Sequence, residues 1–194
     1  MSQDREHNLV ELVTSDGAPT GTATVIDAHT APGVRHRAFS VVLLDPAGRT
    51  LLQQRAAGKT RFPLRWANSC CGHPLPGEAV TVAATRRVQQ ELGVQVEGLD
   101  EIGVYQYTAD DPTSGLVECE YDHVIVGRVD AALPLVPDPG EVAAVQWTDV
   151  HALARELTDG THGLATLAER DQSSTFAPWL PGVIRLAIGF SPPV

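Results

Sequence analysis

Residues 72–94 read GHPLPGEAVTVAATRRVQQELGV, a loop with glycines and prolines followed by an amphipathic segment. The apolar residues of that segment recur at helical spacing: Val80, Ala84, Val88 and Leu92. This spacing predicts a helix over residues 78–92 with one face buried. Gly93 follows the last apolar residue, and glycine is common there because it tolerates the left-handed backbone that ends a helix. The stretch therefore predicts a loop–helix unit that packs on a core.

Short β-rich segments lie on both sides of this unit. They cover residues 9–13, 22–26, 37–45, 50–55, 103–107, 117–129 and 142–147. Residues 37–45 and 50–55 flank PAGR and predict a hairpin, whereas residues 56–78 are typical of a loop. Further helices are predicted over residues 149–157 and 178–188. This order of elements predicts an α+β fold, an α-β-α sandwich in which helices flank a mixed β-sheet.

The composition is that of an acidic globular chain. Its 194 residues suit a single domain, 1–194, with a core at about 36–150 that N-terminal strands and a C-terminal helix complete. A formal net charge of −10 argues against nucleic acid or an anionic membrane surface as a partner. Any anionic ligand therefore needs a local group of cations or a metal ion. The three cysteines show no disulfide pattern and the N-terminus has no long apolar run, so we expect a cytoplasmic protein.

Two of the three cysteines are adjacent, in the stretch WANSCCGHP at residues 66–74. Adjacent cysteines are poor disulfide partners for each other, because the peptide between them opposes the required geometry. One cysteine of the pair is therefore a candidate for chemistry, next to a glycine and a histidine.

The stretch that begins at Gly72 resembles the Nudix box, a loop–helix motif of a family whose hydrolases hold Mg²⁺ against a diphosphate. The matching positions are Gly72, Glu78, Arg86, Val88, Glu91, Gly93 and Val94. Two metal-binding glutamate positions of the motif hold Arg87 and Gln90 instead. The resemblance implies a Nudix fold, and the two departures argue against hydrolysis while leaving a place for a diphosphate anion. If the stretch had no function, Arg86, Arg87 and Glu91 would only form i,i+4 pairs on an exposed helix.

Nearly the whole chain resembles the type I isopentenyl-diphosphate isomerases, a family with the Nudix fold. The segments that carry this resemblance are AHT (28–30), HRAFS (36–40), QRAAGK (54–59), WANSCCGHPLPGE (66–78), RRVQQELGV (86–94), SGLVECE (114–120), PGEV (139–142) and FAPW (176–179). In that family the pattern Asn-Ser-x-Cys-Gly-His-Pro carries the catalytic cysteine, which implies Cys71 and leaves Cys70 as a packing neighbour. The resemblance implies conversion of isopentenyl to dimethylallyl diphosphate, a step of isoprenoid biosynthesis, through a tertiary carbocation.

Such a reaction needs an acid, a base on the opposite face of the substrate and an electron-rich wall that tolerates a cation. The resemblance assigns Cys71 to one face and Glu120 to the other, with Tyr107 assisting the glutamate. Trp179 would supply the cation–π wall. A cysteine in a loop before a helix and near a metal ion favours the thiolate, so we expect a depressed pKa for Cys71.

The resemblance also implies two metal sites. The first consists of three imidazoles and two carboxylates: His29, His36, His73, Glu118 and Glu120. This set of nitrogen and oxygen ligands suits Mn²⁺ or Zn²⁺. Glu118 and Glu120 are two residues apart in a predicted strand and so point to the same face, and Glu120 would be metal ligand and proton donor together. The second site, for Mg²⁺, would use Glu91 and the diphosphate oxygens.

The cations implied for binding the diphosphate are Arg55, Lys59 and Arg87. The family usually places a further lysine four residues before the first metal histidine, where this chain has Val25. We expect this departure to weaken diphosphate binding unless Arg35 or Arg61 compensates for the lost charge.

Three other functions stay open: a Nudix hydrolase of a diphosphate, an enzyme of this fold that acts on another prenyl diphosphate, and a binding module without catalysis. The altered box, together with Cys71 and Trp179, argues against the hydrolase. The intact set of predicted catalytic and metal positions argues against the binding module. We expect a small-molecule prenyl diphosphate as partner, neither nucleic acid nor membrane, and a monomer or weak homodimer.

Overall fold

The computed structural model describes residues 5–159 and 176–190. Its strands are β1 (Leu9–Val13), β2 (Pro19–Thr24), β3 (His36–Leu44), β4 (Arg49–Arg55), β5 (Trp66–Ala67), β6 (Cys70–Gly72), β7 (Asp100–Asp110), β8 (Val117–Arg128) and β9 (Val142–Asp149). Its helices are α1 (Val25–His29), α2 (Val80–Leu92), α3 (Val150–Asp159) and α4 (Leu180–Gly189).

Strand β3 lies at the centre of a mixed nine-stranded sheet. It pairs in parallel with β8 along its whole length, from His36 opposite Glu120 to Leu44 opposite Arg128. Its middle pairs with β6, and its two ends contact β1 and β4. β7 joins the sheet through β8, and β9 joins it through β4. The parallel register of β3 with β8 decides which side chains meet at the site described below.

Both faces of β3 are buried over most of its length, as the apolar run at residues 41–44 indicates. Phe39, Val41 and Leu43 belong to a core cluster that includes the buried face of α2. Val42 and Leu44 belong to a second cluster, with residues of α3 and α4. Successive side chains of a strand point to opposite faces, so one strand contributes to both clusters. The sheet lies between helices, and the predicted α-β-α arrangement with a mixed sheet is confirmed.

The predicted hairpin over residues 37–45 and 50–55 is confirmed only at its turn. The Asp45 N–H donates to the Arg49 carbonyl oxygen at 2.9 Å, but β3 and β4 then share a single residue pair. β4 diverges and pairs along its length with β9 instead. A local pattern of two apolar runs around a turn cannot reveal that a distant strand takes the second run.

Two other local predictions differ from the structure. The strand predicted over residues 22–26 ends at Thr24, because the Thr24 hydroxyl accepts a hydrogen bond from the Asp27 N–H and caps α1. The loop predicted over residues 56–78 contains β5 and β6, which pair with β4 and β3. Strands of two and three residues are too short to show a periodic pattern.

Helix α2 begins two residues later than predicted. Glu78 instead accepts a hydrogen bond from the Leu75 N–H at 2.8 Å and belongs to the preceding loop. The helix ends as predicted, at Gly93, whose φ is 72°. A side chain there would also meet the Val136 carbonyl oxygen at 2.6 Å. Within the ranges that the structure describes, no helix has the length and apolar character needed to cross a membrane.

Candidate active site

Strand register brings three of the predicted site residues together. Glu120 on β8 lies opposite His36 on β3 and opposite Tyr107 on β7. The Tyr107 hydroxyl donates a hydrogen bond to the Glu120 carboxylate at 2.7 Å. Glu118 lies two residues earlier on β8, so its side chain points to the same face. The pairing of the central strands alone therefore places the carboxylates of Glu118 and Glu120 on one face of the sheet.

The predicted metal-binding side chains form one compact group. Its members are His29, His36, His73, Glu118 and Glu120, whose ligand atoms all lie within 4.8 Å of one another. The Nε2 atom of His29 lies 2.8 Å from a Glu118 oxygen, and that of His73 lies 3.1 Å from a Glu120 oxygen. The structure thus brings together residues from α1, β3, β8 and the loop after β6.

Backbone carbonyl groups orient two of these imidazoles. The Nδ1 atom of His29 lies 2.6 Å from the Val25 carbonyl oxygen, and that of His36 lies 2.8 Å from the Val34 carbonyl oxygen. Because a carbonyl only accepts, Nδ1 carries a hydrogen in both rings, and Nε2 is the nitrogen that faces the carboxylates and could bind a metal ion. The buried Nε2 of His36 has no hydrogen-bond partner among the described residues. Imidazoles oriented in this way are typical metal ligands, so the group fits a divalent ion.

The buried charges of the group shift several pKa values. Burial opposes ionisation of Glu120, but the adjacent His36 and His73 outweigh it and hold its pKa well below the ordinary range. Burial lowers the pKa of His73 to about 4, which leaves a neutral imidazole. Burial, followed by the charge of Glu120, raises the pKa of Tyr107 well above its ordinary value, so its hydroxyl stays a donor. In this state Glu120 is an ionised proton acceptor rather than the proton donor that we expected.

Cys70 and Cys71 face opposite sides of the sheet. Cys70 belongs to the core cluster that includes α2, whereas Cys71 packs against the opposite cluster and lines a cavity of about 230 Å³. The Cys71 thiol donates a hydrogen bond to Asn68 Oδ1 at 3.2 Å. Burial, followed by the charge of Asp122, raises the pKa of Cys71 to about 12. The expected depression of this pKa is wrong, because the sulfur lies on β6 inside the sheet rather than at the N-terminus of α2.

Trp179 forms an aromatic wall of the same cavity. Its ring centroid lies 5.9 Å from that of Tyr107 and 5.5 Å from that of Phe62. The guanidinium carbon of Arg55 lies 5.5 Å from the Trp179 ring centroid, so the indole already contacts a cation in this structure. Trp179 is 3% exposed, which keeps its ring face out of bulk water.

The predicted cations line the cavity together with carboxylates. Lys59 and Arg87 contact Glu91 at 3.3 and 2.5 Å. Both also contact Glu141, Arg87 at a distance of 2.7 Å. Arg55 donates to backbone carbonyl groups of the loop that follows β4. The structure brings these cations together. Glu91 forms ion pairs with Lys59 and Arg87 and does not belong to the group of histidines and glutamates.

Three further residues of the site were missed in the sequence. Glu141, in the PGEV segment, accepts a third cation, because Arg5 lies 2.8 Å from its carboxylate. Asp122 lies two residues after Glu120 on β8 and accepts a hydrogen bond from Ser40 at 2.8 Å. Burial, followed by the charge of Glu120, raises the pKa of Asp122 well above its ordinary range. The spacing of two along β8 could have identified Asp122, whereas no local pattern indicates Arg5.

Val25 occupies the position where the family usually has a lysine, and it brings no charge to the site. Val25 is buried, lines the cavity and begins α1. Arg61 also lines the cavity, but it contacts Glu6 at 2.8 Å and Glu118 at 3.3 Å. Arg35 is not among the described residues that line the cavity. Of the two arginines named as possible replacements for the missing charge, only Arg61 lines the cavity.

The fold is that of a known class of domain. Residues 34–170 match the NUDIX domain family. The structure is similar to that of a protein from Deinococcus radiodurans, with a TM-score of 0.68, 18% identity, and coverage of 92% of this chain and 98% of that one. It is also similar to a MutT NUDIX hydrolase from Burkholderia pseudomallei, with a TM-score of 0.55, 17% identity, and coverage of 78% and 97%. The chain is therefore a NUDIX domain protein; the structural similarities at these identities concern the fold alone.

Relatives of known name narrow the class. A protein from Nocardia farcinica named isopentenyl-diphosphate Delta-isomerase is 47% identical over 178 residues, which cover 92% of this chain and 93% of the relative. A protein of the same name from Streptomyces coelicolor is 46% identical over 179 residues, which cover 92% and 83%. Within the NUDIX domain proteins, the chain belongs to the isopentenyl-diphosphate Delta-isomerase family.

Proposed function

We propose that this protein interconverts isopentenyl and dimethylallyl diphosphate, a reaction of isoprenoid biosynthesis. One observation carries the proposal: the Cys71 thiol, the Glu120 carboxylate and the Trp179 indole all line one cavity. Membership of the isomerase family supports the same reaction.

The reaction moves a double bond by one position. A proton adds to the terminal alkene carbon, which leaves a tertiary carbocation, and another proton leaves the carbon on the diphosphate side of it. Cys71 and Glu120 hold one proton between them, on the thiol, so one group can give a proton while the other accepts one. The reverse reaction uses the same two groups with the proton on the carboxyl. Tyr107 orients the Glu120 carboxylate through its 2.7 Å hydrogen bond.

Trp179 suits stabilisation of the carbocation. Its indole face attracts a cation, by about 2 kcal/mol at a desolvated site, and offers no lone pair that would trap it. Because the indole and the Tyr107 ring are packed together, they also exclude water that would add to the cation. An aromatic wall of this kind favours proton loss over hydration.

We assign the compact group of imidazoles and carboxylates to a divalent metal ion. Its ligands would be His29, His36, His73, Glu118 and Glu120. The mixed nitrogen and oxygen set suits Mn²⁺ or Zn²⁺. When bound, such an ion offsets the repulsion between the two buried carboxylates and favours the ionised form of each. We also propose that Mg²⁺ accompanies the diphosphate next to Glu91, the acid that Lys59 and Arg87 contact.

Lys59 and Arg87 suit the diphosphate because they converge on one anion in this structure, the Glu141 carboxylate. Arg5 reaches the same carboxylate and would add a third cation. Arg55 also lines the cavity and carries a charge close to the Trp179 ring. Phosphate oxygens accept hydrogen bonds from lysine and arginine as carboxylate oxygens do, and a diphosphate carries more negative charge than one carboxylate.

The composition of α2 argues against a diphosphate hydrolase. Of its thirteen residues, VTVAATRRVQQEL, only Glu91 is acidic, and its carboxylate contacts Lys59 and Arg87. The helix therefore lacks the cluster of carboxylates that holds Mg²⁺ for water activation. An isomerase acting on another prenyl diphosphate is the second candidate, because Val25 leaves one position of the cavity wall uncharged.

The test is incubation of the purified protein with isopentenyl diphosphate, Mg²⁺ and Mn²⁺, followed by proton and phosphorus NMR. We expect the two allylic methyl signals of dimethylallyl diphosphate and an unchanged diphosphate. Release of pyrophosphate or phosphate would instead identify a hydrolase. An unchanged substrate would reject isopentenyl diphosphate, and geranyl diphosphate tested in the same way addresses the second candidate.

A further inference from the structure

Asn68 lies where the catalytic thiol and the aromatic wall meet. It belongs to the two-residue link between β5 and β6, and its side chain is fully buried. Its Oδ1 atom accepts a hydrogen bond from the Cys71 thiol at 3.2 Å and another from the Trp179 Nε1–H at 3.0 Å. One oxygen atom therefore joins two groups that are far apart in the chain.

The carboxamide of Asn68 has a fixed orientation. Its Nδ2 atom donates to the Val41 carbonyl oxygen at 3.1 Å and to the Cys70 carbonyl oxygen at 2.9 Å. Both amide hydrogens and both lone pairs of Oδ1 are thus engaged, which is the full capacity of the group. A flipped amide would lose the contacts to the Trp179 indole and to both backbone carbonyl groups, because it would set a donor against a donor and an acceptor against acceptors.

We infer that Asn68 is a positioning residue, which fixes the Cys71 thiol and the Trp179 indole relative to each other. This inference rests on the proposed function, since it concerns the two groups proposed to transfer a proton and to stabilise the cation. Backbone contacts hold the carboxamide, the carboxamide holds both side chains, and neither side chain can turn without losing its bond to Oδ1. Asn68 itself is not among the residues that line the cavity.

The expected consequence of losing this link follows from the geometry. A displacement of about 1 Å between reacting groups can cost on the order of 100-fold in rate. Diphosphate binding depends on cations elsewhere in the cavity wall, which do not contact Asn68. Asn68→Ala should therefore lower kcat by about 10- to 100-fold while KM changes less than about twofold.

Ser69 provides a matched control. It is equally buried, adjacent in the chain and also bonded to the backbone of neighbouring strands, donating to the Leu51 carbonyl at 2.6 Å and accepting from the Leu43 N–H at 2.8 Å. Among the described residues, its hydroxyl forms hydrogen bonds with Leu43 and Leu51 and with neither Cys71 nor Trp179. If Asn68 were merely structural, Asn68→Ala and Ser69→Ala would both lower Tm and would have equal effects on kcat.

The experiment measures Tm, kcat, KM and the indole Nε1–H signals of the three tryptophans for the wild type and both variants. Asn68→Ala is expected to lower kcat at unchanged KM and to shift the Trp179 indole signal, whereas Ser69→Ala should leave both as in the wild type. Equal kcat values for the two variants, or an unmoved Trp179 signal in Asn68→Ala, would overturn the inference. If Asn68→Ala does not fold, Asn68→Ser, whose shorter side chain cannot replace all four hydrogen bonds of the carboxamide, is expected to show the same pattern. The indole signal is read without substrate, so a failure of the proposed reaction would be recognised separately.

Discussion

Substituting each of the adjacent cysteines in turn separates chemistry from packing. Cys71 lines the cavity and Cys70 lies in the core on the other face of the sheet, so the two alanine variants remove the same atoms from different environments. We expect Cys71→Ala to lose activity and keep most of its stability. We expect Cys70→Ala to show the opposite pattern.

The magnitudes follow from the two environments. Removal of a positioned proton-transfer group lowers the rate by about 10²- to 10⁴-fold, which corresponds to roughly 3–5 kcal/mol in the activation free energy for Cys71→Ala. That variant also loses one hydrogen bond to Asn68, worth about 1 kcal/mol of stability. Cys70→Ala removes a sulfur of about methylene size from a closely packed core, so its free energy of unfolding should fall by about 1–2 kcal/mol. In a protein of this length, that corresponds to a Tm lower by about 2–8 °C.

The assay is the initial rate of dimethylallyl diphosphate formation, followed by proton NMR, with Tm measured on the same samples. Serial rates at saturating substrate give kcat, and thermal unfolding shows whether each variant is folded at the assay temperature. Comparable losses of kcat in the two variants would refute the assignment of Cys71. So would a Cys71→Ala variant that retains more than about a tenth of the wild-type kcat, since the expected loss is at least 100-fold.

Three further predictions concern the metal ion, the diphosphate and the loop after β4. Glu118→Gln should retain the fold but bind less Mn²⁺, measured by metal analysis after dialysis, and undiminished metal content would contradict its role as a ligand. Val25→Lys should lower KM by about fivefold, or about 1 kcal/mol, with little change in kcat, and an unchanged or raised KM would count against a missing cation there. Burial opposes the charge of Asp111, but hydrogen bonds from the Phe62 N–H and Ser114 outweigh it and lower the Asp111 pKa below 3.8. This stabilisation is complete above pH 3.8 and is lost as the pH falls through the lower pKa that Asp111 has in the folded state. At pH 7 the free energy of unfolding of Asp111→Asn should therefore be about 1 kcal/mol lower than that of the wild type. In acid the stabilities of the two proteins should converge. A constant difference down to pH 2 would contradict this prediction.

The fold could be predicted where periodicity extends over a whole element. Helix α2 has its apolar residues at helical spacing and a glycine at its end, and β3 is rich in β-branched and other apolar residues, so both appear at nearly the expected positions. The pairing of β3 with β8 depends on residues about 80 positions apart, and no local pattern records it. β5 and β6 could not be predicted from the sequence, because two or three residues are too few to show a periodic pattern. Tertiary pairing decided these elements, and propensity did not.

The residues of the candidate site could be predicted from the sequence better than their protonation states. The compact group of histidines and glutamates contains the residues that the resemblance implied, Tyr107 contacts Glu120, and Trp179 lines the cavity with Cys71. The pKa of Cys71 was predicted in the wrong direction, because burial cannot be read from a position before a helix. Arg5 and Glu141 were missed for the related reason that they meet only in the folded chain.

The most direct test of the proposed proton transfer is the fate of a solvent deuteron. The wild-type protein is incubated with isopentenyl diphosphate, Mg²⁺ and Mn²⁺ in D₂O, and the product of the first turnovers is examined by proton, deuterium and phosphorus NMR. If an exchangeable group of the protein protonates the terminal alkene carbon, dimethylallyl diphosphate should carry one deuterium in a methyl group, with its diphosphate intact. Formation of unlabelled dimethylallyl diphosphate, cleavage of the diphosphate, or recovery of unchanged substrate would contradict proton transfer by the Cys71 and Glu120 pair.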